Sequence, residues 1–151
     1  MSLDIRHADR SQIADIVRLL ADDALGSARE RFEEPLPEAY VAAFDAIEQD
    51  PNNELIVAMY DGQLAGVMQF TFLPNMTYVG RWRAQIEGVR VARELRGHGI
   101  GRQLFEWAIA RADERGCHLV QLTTDKTRPE AIAFYESLGF APSHVGMKLK
   151  L

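Results

Sequence analysis

The sequence predicts an α/β (α+β) fold with a mixed sheet, and three observations carry that prediction. Two strand-like runs, "ELIVAMY" and "QLAGVMQFTF", flank Asp61-Gly62. They read as a β-hairpin, because Asp-Gly supplies the positive φ that tight hairpin turns need. A helix-period segment over 99–114 separates two further strand-like runs, the arrangement of a parallel βαβ crossover. The 151-residue length, with 47% apolar and 26% charged residues, suits a single domain, 1–151, that buries its own core.

The remaining elements follow in chain order. Residues 3–7 (LDIRH) alternate as a short strand. Asp9 or Ser11 caps a helix in which Ile13, Ile16, Val17, Leu20 and Ala24 keep helical spacing up to Gly26. A second helix starts near Pro37 and Glu38, turns Tyr40, Phe44 and Ile47 inward, and breaks at "DPNN". After the hairpin, "FLPNMTYVGRW" leads into a strand at about 82–91. Helix 99–114 sets Ile100, Leu104, Ala108 and Ala112 on one face and stops at Gly116; "CHLVQLTT" then reads as a buried strand.

Thr127 and Glu130 match a capping box, with Pro129 in the first turn of the last helix. Ala131, Phe134, Tyr135 and Leu138 form its inner face, and Gly139 closes it. A final strand is expected at about 146–151. The predicted order is β-α-α-β-β-β-α-β-α-β.

A lone cysteine, Cys117, excludes an internal disulfide and points to a reducing, cytoplasmic setting; its place at the start of a buried strand suits core packing. The first twenty residues interleave Asp4, Arg6, Asp9, Arg10, Asp15 and Arg18, so no signal peptide is expected, and no apolar run is long enough for a membrane span. No His/Cys/Asp/Glu set has the spacing of metal ligands. The net charge of −5 conceals an asymmetry. Residues 81–102 hold six arginines against Glu87 and Glu94, whereas residues 21–54 hold ten acids against Arg29 and Arg31. An acidic chain is a poor nucleic-acid binder, yet a local basic patch attracts a small phosphate ligand. Charge runs such as the acidic segment also serve simply as solvated faces.

Within 82–91 the apolar positions are Trp82, Ala84 and Ile86, then Val89 and Val91. The parity switches from even to odd, and a period-two strand cannot keep both sets on one face without an extra residue. A β-bulge at Glu87-Gly88 restores the phase and puts a carboxylate on it. A bulge here would splay the strand from its parallel neighbour at 117–124, leaving backbone groups of Val89 to Val91 to pair with an amide-bearing ligand. A plain packing bulge is the alternative.

The next segment, Arg96-Gly97-His98-Gly99-Ile100-Gly101-Arg102, joins this strand to a helix. Small residues let backbone N–H groups converge, and the helix N-terminus adds partial positive charge, so the loop suits a phosphate, and by its length a pyrophosphate. A nucleotide P-loop would need Lys-Ser or Lys-Thr after its last glycine, and none follows. The dinucleotide fingerprint needs G-x-G-x-x-G, and the glycines here run G-x-G-x-G.

Arg96 through Gly101 matches the R/Q-x-x-G-x-G/A signature and thereby resembles the GNAT family of N-acetyltransferases. "IEGVRV" ahead of it looks like that family's fourth strand, and "RPEAIAFYESLGF" like its final helix. The element order is similar over nearly the whole chain. The resemblance implies a mostly antiparallel sheet with a parallel splay between strands 4 and 5, about four flanking helices, and acetyl-CoA as acyl donor. It implies that Arg96, Gly97, His98, Gly99, Ile100, Gly101 and Arg102 hold the CoA pyrophosphate, and that the backbone of Val89, Arg90 and Val91 pairs with the pantetheine arm. The family often has Asn where this chain has Arg128; that side chain is expected to reach a phosphate or to face water.

Acetyl transfer to an amine requires deprotonation of the amine, polarisation of the thioester carbonyl and a proton for the leaving thiolate. Glu87 on the bulge is the expected base, partly buried and so strengthened as a base; the N–H near Val89 is placed to polarise the carbonyl. Tyr135 is the expected acid, although its helical phase also fits packing. His144, before the last strand, is a weaker candidate for the acceptor side, and His98 is expected to shape the loop or meet phosphate.

The expected partner is a small-molecule or peptide amine, without nucleic acid or membrane; a homodimer is compatible with the sequence. Asp22, Asp23, Glu30, Glu33 and Glu34 would favour a cationic amine, while Tyr78, Arg81, Trp82 and Arg83 would suit an acceptor bearing a carboxylate. A non-catalytic CoA-binding sensor or interaction module is the competing reading, followed by a domain for some other phosphate ligand.

Overall fold

In this computed structural model, which describes residues 2–151, the Asp-Gly hairpin forms between β2 (Asn53–Tyr60) and β3 (Gln63–Leu73). Asp61 and Gly62 both take positive φ, 51° and 74°, as a tight two-residue turn requires. β1 (Asp4–His7) pairs antiparallel with β2, and β4 (Trp82–Val91) antiparallel with β3. β5 (Cys117–Leu122) lies beside β4 in parallel, so the strand order is β1-β2-β3-β4-β5. The chain packs as two units, one running to Gln121 and the other comprising Leu122–Leu151.

In the first unit, one sheet face is covered by α1 (Ile13–Leu20) and α3 (Glu38–Gln49). Ile16 and Leu19 pack with Val57 and Val67, while Ile13, Val17 and Phe44 form an adjoining cluster. The other face meets α5 (Ile100–Glu114), which buries Ile100, Leu104, Phe105, Ala108 and Ala112, the inner face read from the sequence plus Phe105. Phe70 touches Trp107 of α5 edge-on at 6.1 Å and stacks on Phe72 at 5.8 Å. This layer fixes where the N-terminus of α5 points.

Two expectations near the helices need correction. Asp9 is a cap, accepting from the Ser11 N–H at 3.1 Å, but the turn it caps is a short 3-10 segment leading into α1. The helix then stops at Leu20 rather than reaching Gly26. Asp23 starts a separate helix, α2 (Ala24–Arg29), by accepting from the Gly26 N–H at 2.5 Å. A Cβ on Gly26 would lie 2.0 Å from the Leu20 carbonyl oxygen, so only glycine permits this close reversal. Between β3 and β4, α4 (Thr77–Gly80) is a single turn with Tyr78 and Val79 in left-handed conformation.

In the second unit, α6 (Pro129–Ser137) has Arg128 at its N-cap. The expected capping box is not formed, because the Thr127 hydroxyl and N–H both donate to Asp125, at 2.6 and 2.9 Å. Gly139 ends the helix as expected, at φ 98°. The strand expected at 146–151 is absent: the segment has the alternation of a strand but no paired ladder among the described residues. β5 is also half-buried along all six residues rather than buried.

Candidate active site

Across β3 and β4 the register runs Gln69 opposite Glu87 and Val67 opposite Arg90. Gly88 and Val89 therefore oppose Met68 alone, which is the two-against-one pairing of a β-bulge. The predicted bulge is present, one position further along than Glu87-Gly88, with Glu87 as the last regular residue before it. Gly88 takes φ 61°, and the Leu20 side chain lies 3.8 Å from where its Cβ would be. Ala84 and Ile86 before the bulge are buried, so the phase argument holds. Glu87 itself is exposed, not partly buried.

The bulge delivers the chain into the glycine loop. Gly97 and Gly99 take φ 81° and 78°, and added Cβ atoms there would meet nothing within 4 Å. Their requirement is conformational, since this left-handed backbone is what turns the loop into α5. The first hydrogen bond of α5 runs from the Gln103 N–H to the Gly99 carbonyl at 3.1 Å, so the Ile100 and Gly101 N–H groups precede the helical ladder. His98 folds back, with Nδ1 3.1 Å from the carbonyl oxygens of Leu95 and Arg96, so it shapes the loop. Arg96 Nε donates to the Val91 carbonyl at 3.2 Å and Arg90 Nη1 to the Val89 carbonyl at 2.8 Å. Both carbonyls expected to face a ligand are thus occupied by arginine side chains.

A polar row crosses the sheet beside Glu87. Asn53 Oδ1 accepts from Thr71 Oγ1 at 2.9 Å, and Gln121 Nε2 donates to Gln85 Oε1 at 3.1 Å. His118 on β5 lies 3.0 Å from the Trp82 carbonyl through Nδ1, and its Nε2 is buried without a hydrogen-bond partner among the described residues. Arg83 sits over the Tyr78 ring at 5.4 Å and donates to Thr77 Oγ1 at 3.1 Å. In the second unit, the Tyr135 ring lies 5.6 Å from Phe134 and 6.0 Å from Phe140, and Arg128 donates its N–H to the Asp125 carbonyl at 3.0 Å.

The model of the acetyltransferase (GNAT) family matches residues 20–140. The chain belongs to the GNAT family. It is 30% identical over 107 residues to the aminoalkylphosphonate N-acetyltransferase of Salmonella typhimurium, covering 71% of this chain and 69% of that protein. The glucosamine 6-phosphate N-acetyltransferase of Trypanosoma brucei brucei is 31% identical over 90 residues, covering 60% and 59%. A crystal structure of a transcriptional regulator from Bacillus halodurans C-125 superposes with a TM-score of 0.97 at 55% identity, covering 99% of this chain and 100% of that one. With N-acetyltransferases as relatives, this GNAT protein is an N-acetyltransferase.

Several carboxylates of the acidic segment of this GNAT chain have partners in the first unit. Asp22 pairs with Arg93 at 3.3 Å, Asp23 lies 3.7 Å from Arg90, Glu33 pairs with Arg31 at 2.6 Å, and Glu30 accepts from Tyr40 at 2.9 Å. Glu33 is exposed, and Asp22, Asp23 and Glu30 are half-buried. Burial pushes the Cys117 thiol up, consistent with a packing role. His144 is exposed, with Nδ1 2.7 Å from the Ser143 hydroxyl. Sequence reading missed His118, Gln85 and Gln121. Gln85 was discoverable, because a bulged strand with Ala84 and Ile86 inward must turn Arg83, Gln85 and Glu87 to the other face. No helix among the described residues is long and apolar enough to cross a membrane.

Proposed function

We propose that this chain, acting as one acetyltransferase domain in the cytoplasm, transfers the acetyl group of acetyl-CoA directly to a primary amine. The observation that carries the reading is the continuous path from the Gly88-Val89 bulge into the left-handed Gly97 and Gly99 at the start of α5. Open backbone at a helix N-terminus fits a pyrophosphate, with Arg96 and Arg102 adding charge. The backbone of Val89, Arg90 and Val91 pairs with the pantetheine arm, once the two arginine contacts on those carbonyls yield or share the acceptor. Acetyl-CoA supplies an activated acyl group as its thioester.

In this reading Glu87 removes the proton that the amine must lose before its nitrogen can attack, directly or through a water. Its exposure favours relay through solvent. The N–H near Val89 polarises the carbonyl, and Tyr135 gives a proton to the departing sulfur. Arg128 takes a phosphate contact where the family often has Asn. The acceptor class to test first is a small amine that also carries an anion. The acids near the site are already paired, Arg83 shares its strand parity with Gln85 and Glu87, and the enzymes from Salmonella and Trypanosoma are named for phosphonate- and phosphate-bearing amines.

One observation favours a second reading, a CoA-binding sensor without turnover: the 55% identical Bacillus halodurans protein is described as a transcriptional regulator. Free-thiol release from acetyl-CoA across aminoalkylphosphonates, amino-sugar phosphates, polyamines and lysine peptides separates the two. Turnover with an anionic amine supports transfer. Tight acetyl-CoA binding with no thiol release on any amine supports the sensor.

A further inference from the structure

Three half-buried arginines of the first unit each face a carboxylate: Arg90 lies 3.7 Å from Asp23, and Arg111 and Arg115 lie 2.9 and 3.6 Å from Glu54. Arg83 is half-buried too, yet no carboxylate pairs with it among the described residues. Its contacts are the Thr77 hydroxyl at 3.1 Å and the Tyr78 ring at 5.4 Å. Its Nε is buried without a hydrogen-bond partner among the described residues. Neither a hydroxyl nor a ring neutralises the charge, and a partly desolvated cation without an anion is costly. A bound anion supplies both the missing charge and the missing acceptor.

The register sets where that anion sits relative to Glu87. From Glu87 to Arg83 the pairing with β3 is regular, Gln69 opposite Glu87 through Leu73 opposite Arg83, so Arg83, Gln85 and Glu87 project from one face. Four residues of strand span about 13 Å. Thr77 and Tyr78 lie in the turn before β4, so their contacts hold the guanidinium at the far end of this row from Glu87. Allowing about 3 Å for a hydrogen bond at each end leaves about 7 Å between the nitrogen and the anion of a bridging ligand. Gln85 stands midway. Its Oε1 accepts from Gln121, which leaves its amide N–H groups to donate to the body of that ligand.

We propose that Arg83 is the anion subsite for the acceptor, and that the spacing from Glu87 to Arg83 selects primary amines whose phosphate or phosphonate lies about 7 Å or more from the nitrogen. This inference rests on the reading of Glu87 as the base that receives the amine proton. An extended chain advances about 1.2 Å per bond, so a two-carbon aminoalkylphosphonate spans about 4 Å and reaches only one end of the row. A six-carbon homologue spans about 8 Å and reaches both. An amino sugar with its phosphate across the ring does so as well, and its hydroxyls meet Gln85.

Thiol release at saturating acetyl-CoA is measured with ω-aminoalkylphosphonates of increasing length, beside amino alcohols of the same lengths. For the phosphonates kcat/KM should rise about tenfold or more from the two-carbon to the six-carbon member, with no such rise for the alcohols. Arg83→Gln should flatten the phosphonate series, costing the long members about tenfold more than the short ones, and Arg83→Lys, which keeps the charge, should retain part of the slope. A merely structural role would lower every member alike. A flat native series, a two-carbon optimum, or an Arg83→Gln effect that is absent or equal at every length overturns the inference while acetyl transfer stands. No thiol release with any amine overturns the transfer reading, and this inference with it. The native phosphonates against the alcohols decide the matter if Arg83→Gln fails to fold.

Discussion

The Val91 carbonyl accepts a hydrogen bond from Arg96 Nε at 3.2 Å, tying the end of β4 to the glycine loop. The strand proposed for the pantetheine arm and the loop proposed for the pyrophosphate are thereby held as one piece. Arg96 stands at both functions, as a strut in this structure and as a cation beside a phosphate in the proposed complex. Arg96→Ala should raise the KM for acetyl-CoA about tenfold, the size of one charge-assisted hydrogen bond, with little change in kcat. The effect should shrink at high salt, because part of it is electrostatic. An unaltered KM at low salt would place Arg96 outside donor binding.

Tyr135 is a harder case, because its ring contacts with Phe134 and Phe140 give it a packing role regardless of chemistry. Tyr135→Phe keeps the ring and removes only the hydroxyl. If the hydroxyl protonates the sulfur, kcat should fall by ~10²-fold while the melting temperature stays within a few degrees. A full-rate phenylalanine variant would return the residue to packing alone.

Away from the site, Glu54 is the buried acid that joins β2 to α5 and β1. Only 5% exposed, it lies 2.9 Å from Arg111 Nε, 2.7 Å from His7 Nε2 and 3.6 Å from Arg115. Glu54→Ala leaves the two arginines facing a partly desolvated gap. The variant should lose about 3 kcal/mol of stability, read as a lower urea midpoint. An unchanged midpoint would mean that water replaces the carboxylate at no cost.

Asp50 supplies the pH dependence. It accepts from the Asn52 N–H at 2.8 Å and the Asn53 side-chain amide at 2.7 Å, in that order the causes that hold its carboxyl below the ordinary 3.8. A depressed folded-state value means that the contribution is fully present above 3.8 and is lost as pH falls through the folded value. The stability difference between the native chain and Asp50→Ala should therefore be flat at neutral pH and narrow under acid. A difference that widens under acid would reverse the sign.

Much of this was legible because local rules and burial agreed. The parity switch between Ile86 and Val89 located the bulge, and the Asp61-Gly62 turn set the hairpin. What escaped had non-local causes. The helix break at Leu20 depends on how closely Gly26 approaches the Leu20 carbonyl, a distance no periodicity encodes. The exposure of Glu87 depends on which helices cover the sheet. The failed strand at 146–151 had the right alternation, but a strand exists only with a neighbour. Asp22 and Asp23 looked free because their arginine partners, Arg93 and Arg90, are distant in sequence.

The central claim is that the bulge carries the base for acetyl transfer, and Glu87→Gln tests it most directly. Glu87 is exposed, so the isosteric amide should leave folding intact. Initial rates of thiol release, taken with saturating acetyl-CoA and the best amine between about pH 6 and 9, should fall ~10²-fold in the variant while acetyl-CoA affinity is kept. Equal rates for the native chain and the variant across that range would contradict the account.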